Sequence, residues 1–357
     1  MLRLFIASAL VGCGTAPHAG SIEVAPLAAV PIASTTALAV VPITSTTAIA
    51  VSTGTPMDYD SAFFVDPANG DWVIVLDRFT SPTRLRAELC VARSTDHASF
   101  GPAVVLPISG TEMVQGGPSA AVLADGTYLY FMHGDRERVL HLARASFDGS
   151  GFGAPVDLTL DDSSSGFDAW PIAVPWKNGT IALAYNHFGL AQGELASGDG
   201  LAFGTPQTLG TGVQGRVATF ADGGIVFTEQ TGVAPQMVHV RVSRDGTTWT
   251  SPAAVTTRAN VHDATPFRRA SGGVDLYYIS SDVTDHDGFS IFRRSVDETG
   301  ALGPEQRLSD ASAGSLTQPH PHRLADGSIV VTFAKQITSN MDTDTYLAHI
   351  AADDAPM

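Results

Sequence analysis

Ser243-Arg244-Asp245-Gly246-Thr247-Thr248-Trp249-Thr250-Ser251-Pro252 is the sharpest copy of a motif that recurs about once every 50 residues along the 357-residue chain. Weaker copies run from Ser94-Thr95-Asp96 to Phe100-Gly101-Pro102, from Ser146-Phe147-Asp148-Gly149 to Phe152-Gly153-Ala154-Pro155, from Ser197-Gly198-Asp199-Gly200 to Phe203-Gly204-Thr205-Pro206, and from Ser295-Val296-Asp297 to Gly300, Gly303 and Pro304. Their aspartates stand at 96, 148, 199, 245 and 297, in steps of 52, 51, 46 and 52. Self-similarity at that period, carried by short apolar runs, is the signature of a β-propeller.

Six hairpin turns set the blade count: Asn69-Gly70, Asp125-Gly126, Asn178-Gly179, Asp222-Gly223, Ser271-Gly272 and Asp326-Gly327. Asn-Gly and Asp-Gly between apolar runs are strong hairpin signals. One run precedes each turn and one follows it. A third, such as Val238-His239-Val240-Arg241-Val242, alternates like a half-exposed strand and leads into the aspartate motif, and a short fourth follows the Pro. Four strands in each of six units make an all-β, six-bladed propeller of four-stranded antiparallel blades. The last unit ends without room for its fourth strand, and an open edge is a liability. A segment within residues 22–51, centred on 46–51, is therefore expected to pair with the last blade and close the ring.

Length would accommodate two average domains, but a repeat fold spends it on one body. Formal net charge is -16, with 20 Lys and Arg against 36 Asp and Glu, a balance that disfavours nucleic acid or an anionic membrane surface as partner. Residues 14–56 are rich in Ala, Thr, Ser, Val and Pro and contain the tandem units Val30-Pro31-Ile32-Ala33-Ser34-Thr35-Thr36-Ala37-Leu38-Ala39-Val40 and Val41-Pro42-Ile43-Thr44-Ser45-Thr46-Thr47-Ala48-Ile49-Ala50-Val51. Such composition reads as a tether. Of the two cysteines, Cys90 lies in the apolar run Leu89-Cys90-Val91-Ala92 and is expected to be a packed thiol.

Two resemblances add to this reading. Met1 to Cys13, with Arg3, an apolar run and Leu10-Val11-Gly12-Cys13, resembles a bacterial lipoprotein signal. The likeness implies a signal over 1–12, lipidation at Cys13, a tether over 13–56 that contributes the closing strand, and a propeller over 57–357. It also implies a place in the bacterial cell envelope as an outer-membrane lipoprotein, held to the membrane by that lipid alone. The stretch around Ser243, Asp245, Gly246 and Trp249 resembles the Asp-box, or BNR repeat, of the sialidase (neuraminidase) superfamily, and implies boxes between third and fourth strands with a structural role. Aspartate caps the turn, glycine takes positive φ and tryptophan packs between sheets. The likeness is to a propeller and does not by itself imply hydrolysis. In that family an arginine stands about ten residues ahead of the first turn glycine; here the position is Asp60, whose carboxylate would repel a sugar acid.

The loops joining second to third strands and blade to blade would share one face. That face collects Asp58, Tyr59, Asp60, Asp77, Arg78, Gln115, His133, Asp135, Asp168, Trp170, Asn186, His187, Gln214, Arg216, Glu229, His262, Asp263, Asp285, His286, Asp287, Gln318 and His320. Polar groups with aromatic walls suit a carbohydrate, with Tyr59 or Trp170 stacking on a sugar and amides and carboxylates meeting hydroxyls. Asp60, Asp168 and Asp263 each stand just ahead of an innermost strand and are the candidate catalytic carboxylates. No cofactor is expected: Asp282, Asp285 and Asp287, and Asn340, Asp342 and Asp344, echo calcium loops but lack the spacing and the final Glu. Three readings stand: a monomeric propeller that binds a glycan through this face without sialidase chemistry, a glycoside hydrolase with a reworked site, and a propeller that docks an envelope protein.

Overall fold

A computed structural model describes residues 42–352, apart from 54–56, 81–86, 109–113, 135–139, 161–167, 188–191, 211, 232–235, 259, 282–287 and 338–341. The expected signal over 1–12, Cys13 and the first of the tandem units lie outside the described residues, as do Asp135 and 282–287. Every internal gap falls in a connection between second and third strands or between one blade and the next.

The chain forms a six-bladed propeller of four-stranded antiparallel blades. From the innermost strand outward, blade 1 is Asp58–Val65, Trp72–Phe79, Ala87–Ser94 and Val104–Val105. Blade 2 is Val114–Leu123, Gly126–Gly134, Leu140–Phe147 and Val156–Asp157. Blade 3 is Asp168–Pro175, Ile181–His187, Gln192–Gly198 and Gln207–Gly210. Blade 4 is Gly212–Thr219, Ile225–Thr231, Val238–Ser243 and Ala253–Ala254. Blade 5 is Val261–Arg268, Val274–Ser280, Ser290–Val296 and Gln306–Arg307. Blade 6 is Leu316–Arg323, Ser328–Gln336 and Thr343–Ala352, with Ile49–Ala50 as its outer strand.

The ring closes as the open edge requires. Ile49 pairs with Leu347 and Ala50 with Tyr346 in antiparallel register, and Val51 N–H donates to Thr345 O at 2.9 Å. Upstream, Ile43 is fully buried and exchanges backbone hydrogen bonds with Leu308 and Asp310, so the N-terminal segment is fixed to blades 5 and 6 together.

Alternation along each second strand puts apolar side chains on both faces, and neighbouring blades bury them between them. Six clusters result, one per interface; Phe64, Val73, Val75 and Leu89 of blade 1 meet Leu129 and Phe131 of blade 2, for example. Cys90 packs at the junction of blades 6 and 1 with Ile74, Leu76, Val330 and Leu347, and burial pushes its thiol up to about 11.

The repeated turns do the structural work read from them. Asp245 accepts from the Thr247 and Thr248 N–H groups, each at 2.7 Å, while Ser243 Oγ accepts from Gly246 N–H at 2.8 Å. Asp96, Asp148, Asp199 and Asp297 each cap two backbone N–H groups in the same way. Gly246 has φ +83°, and a Cβ there would stand 2.2 Å from the Trp176 ring, so two independent constraints demand glycine. Trp249 donates its indole N–H to Gln207 of blade 3 at 2.8 Å and lies edge-on to Phe227 of blade 4.

Candidate functional site at the propeller axis

All six innermost strands bulge at one height. Two residues oppose one of the second strand at Tyr59-Asp60, Gly117-Pro118, Trp170-Pro171, Gln214-Gly215, Asp263-Ala264 and Gln318-Pro319. In five blades the first residue of the pair has positive φ: Gly117 56°, Trp170 52°, Gln214 57°, Asp263 53° and Gln318 53°. Four of these are not glycine, so the backbone is held in a costly region. Side chains from the blade beside it help hold it. Gly117 N–H donates to the Asp77 carboxylate at 3.2 Å, Gly215 N–H to Asn186 Oδ1 at 2.8 Å, Asp263 N–H to Gln230 Oε1 at 3.0 Å and Gln318 N–H to the Asp263 carboxylate at 3.3 Å. A bulge re-aims side chains, and here six of them turn residues toward one axis.

Arg216 of blade 4 joins three other blades. Its guanidinium donates to Thr265 Oγ1 of blade 5 at 2.8 Å, lies 3.1 Å from His320 Nε2 of blade 6 and stands 3.9 Å from the Asp60 carboxylate of blade 1. His320 Nε2 is 3.8 Å from the same carboxylate. Asp60, Arg216, Asp263 and His320 are all buried.

Burial dominates the electrostatics. It pushes the Asp60 carboxyl up to about 6, against the opposing pull of Arg216 and a hydrogen bond from the Trp170 side chain. Asp77 is raised well above the usual carboxylate range by burial and then by the charge of Asp60, with the Gly117 N–H acting the other way. Asp263 is raised by burial and opposed by Arg216. His320 is held well below the usual histidine range by burial and by Arg216, so its imidazole is neutral. One cation thus faces Asp60 and Asp263, both raised by burial, an arrangement that can both donate and accept a proton.

The six-bladed propeller fold recurs among solved structures. The chain is similar to a Dyadobacter fermentans protein of unknown function (12% identity, TM-score 0.68, covering 88% of this chain and 99% of that one). It is similar to the Penicillium chrysogenum α-L-arabinanase complexed with arabinobiose (11%, 0.60, 88% and 99%) and to the Trypanosoma rangeli sialidase in complex with the inhibitor DANA (11%, 0.58, 87% and 59%). No family model matches the chain, and no curated protein matches it.

Within the ring the candidates drawn from the sequence separate. Asp60, Trp170, Arg216, Asp263, Gln318 and His320 come together at the bulge layer. Asp168 sits at the rim of blade 3, 2.8 Å from His187 Nδ1. Arg78 is forked onto Asp58 at 2.8 and 3.1 Å, whereas its neighbour Asp77 turns inward to Gly117. His133, which pairs in register with the buried Gln115, is drawn to the outer strand by Asp157 at 2.7 Å. His262 lies 3.2 Å from the Gln230 amide, Tyr59 stands edge-on to Phe79, and Gln214 occupies the blade 4 bulge. Glu229 is buried with Arg241 at 3.5 Å. Sequence reasoning missed Glu194, which is buried and accepts from Thr208 Oγ1 at 2.9 Å; a lone acid within Gln192–Gly198 was the available signal. It also missed Thr265, which carries no signal apart from the fold.

Two spaces flank the layer. One of about 10 Å³, roughly the room for a single water, touches Asp60, Trp170, Arg216 and His320. Toward the hairpin side a cavity of about 300 Å³ is lined by all six innermost strands, including Ser61, Ser119, Ile172, Val217, Phe267 and His322. His322 shares its side of the strand with His320 and is lowered to about 3 by burial and by that neighbour.

Proposed function

We propose that the protein is an exported glycan-binding propeller whose ligand sits over the axial layer of Asp60, Trp170, Arg216, Asp263, Gln318 and His320. The observation that carries this is the six-fold bulge, which sustains backbone strain at Trp170, Gln214, Asp263 and Gln318 to turn polar side chains toward one centre. A neutral sugar is the fitting class. The chain carries net charge -16, Asp60 stands at the axis, and Arg78 is already engaged by Asp58, so Arg216 is left facing carboxylates rather than a ligand acid. The likeness to an α-L-arabinanase and a sialidase supports carbohydrate over protein as the ligand. In this proposal the repeated turns are Asp-boxes, Cys13 bears the lipid that holds the propeller to the envelope, and residues 13–56 are the tether.

The raised Asp60 and Asp77 favour a second reading, glycoside hydrolysis, in which Asp60 in its protonated form donates to the leaving oxygen as the glycosidic bond breaks, while a second carboxylate, Asp263, either takes a proton from the attacking water or itself bonds to the anomeric carbon, in an ester that water then cleaves. The full chain with Cys13→Ser is to be screened against a glycan array and a panel of fluorogenic glycosides that includes neutral pentosides and a sialoside. Binding to neutral glycans, weakened at least tenfold by Asp60→Asn and unaffected by Asp168→Asn, is expected. Turnover abolished by Asp60→Asn or Asp263→Asn establishes the hydrolase. A folded protein that neither binds nor turns over any sugar refutes both readings.

A further inference from the structure

We infer that the outer edge of blade 6 is a docking site for either of two tandem segments of this chain, residues 41–51, of which 42–51 are held there in the structure, and residues 30–40. The two segments are identical at nine of eleven positions and differ only at Ala33/Thr44 and Leu38/Ile49. What the edge recognises is on the page for the second copy. Ile43 is fully buried among Tyr277, Ile291, Leu308, Leu316 and Val331, Val51 is buried with Phe63, Trp72 and Leu347, and Ala48 packs against the first of these clusters. Ile49 also packs against the second cluster; the remaining contacts are main-chain: Ile43 with Leu308 and Asp310, Val51 with Thr345, and Ile49–Ala50 with Tyr346 and Leu347. Main-chain pairing is indifferent to side chains. The buried Ile43 and Val51 and the partly buried Ala48 recur as Ile32, Val40 and Ala37, while the partly buried Ile49 is matched by Leu38.

The turn recurs in part. Thr47 Oγ1 accepts from Thr44 N–H at 2.8 Å and donates to Pro42 O at 3.2 Å, and Thr36 and Pro31 stand in the same places. Thr44 Oγ1 also accepts from Thr46 and Thr47 N–H at 3.2 Å; Ala33 lacks that oxygen. Leu38 in place of the β-branched Ile49 is slightly worse in a strand. The connection to Asp58 also lengthens by eleven residues, which costs loop entropy. All three differences favour the second copy, by a combined factor on the order of 30. Exchange moves the point where the tether leaves the ring by eleven residues, about 36 Å of extended chain, and inserts the same length between the closing strand and blade 1.

Deletion supplies the test, because removing residues 41–51 joins Val40 to Ser52 in the frame that Val51 had. In the full chain with Cys13→Ser, this deletion is expected to lower Tm by no more than about 3 °C, whereas removing residues 30–51 lowers it by about 10 °C or more. Should the double deletion fail to fold, crosslinking decides. In a glutathione redox buffer, Ala39→Cys with Tyr346→Cys should form its disulfide about 30-fold less readily than Ala50→Cys with Tyr346→Cys, and equally readily once 41–51 is deleted. A chain lacking 41–51 that is as unstable as the double deletion, or that forms no 39–346 disulfide, overturns the inference.

Discussion

Replacing Asp60 by Asn should change how stability depends on pH, and the size of the change follows from one buried carboxyl. Asp60 is 4% exposed and its folded-state value is about 6, against 3.8 for the free group. The folded protein therefore holds this proton more tightly than the unfolded chain does. The stability Asp60 contributes is fully present below about pH 4 and is lost as pH rises through about 6. A shift of about 2 units at about 1.4 kcal/mol per unit is about 3 kcal/mol, or about 5 °C in Tm for a domain of this size. Asn does not titrate, so its packing offset is the same at every pH and cancels from the slope. Asp77 lies in the field of Asp60, and losing that charge relaxes Asp77 in the same direction. Thermal melts of both proteins from pH 4 to 7 should show Tm of Asp60→Asn minus Tm of wild type climbing by about 5 °C. A difference flat to within about 1 °C, or one that falls, refutes the burial argument.

Arg216→Met removes the cation that Asp60 and Asp263 share and should cost about 3–4 kcal/mol at pH 7.5, read by chemical denaturation. The loss should shrink near pH 5 and be partly recovered in Arg216→Met/Asp60→Asn, because the stranded charge is then gone. Cys90, fully buried with its thiol pushed up to about 11, should resist iodoacetamide at pH 7.5 in the folded protein and react only at the rate of unfolding; prompt alkylation would show an opening between blades 6 and 1.

Blade count and ring closure were legible because each rests on local chemistry. The Asp-Gly turns repeat, and a unit ending after Thr343–Ala352 has an edge to cover. Asp60, Asp263, Arg216 and His320 were legible as positions, each falling beside an innermost strand. Their partnership was not, since the contact of Arg216 with Asp60 joins blades 1 and 4 across the ring and has no trace in either segment. The bulges were hidden for another reason: Trp170, Gln214, Asp263 and Gln318 adopt positive φ, where sequence reading looks for glycine. Asp168 shares the sequence context of Asp60 and Asp263, yet it stands beyond its own bulge, where His187 meets it.

The two kinds of aspartate in this ring respond to acid in reverse of their accessibility. Those in the repeated turns, at 96, 148, 199, 245 and 297, are exposed yet held below the usual carboxylate range by hydrogen bonds from the turn, chiefly backbone N–H groups at the first four and the Thr299 hydroxyl ahead of the backbone at Asp297. Those at the axis are enclosed yet raised. As a solution is acidified from neutrality, protons are taken up first at the centre of the molecule, and the turns at its periphery keep their charge until much later. A mildly acidic medium would thus leave the Arg216 cation as the charge that remains at the hub, inside a rim that is still anionic, so that solubility and internal charge are governed by separate populations of one residue type.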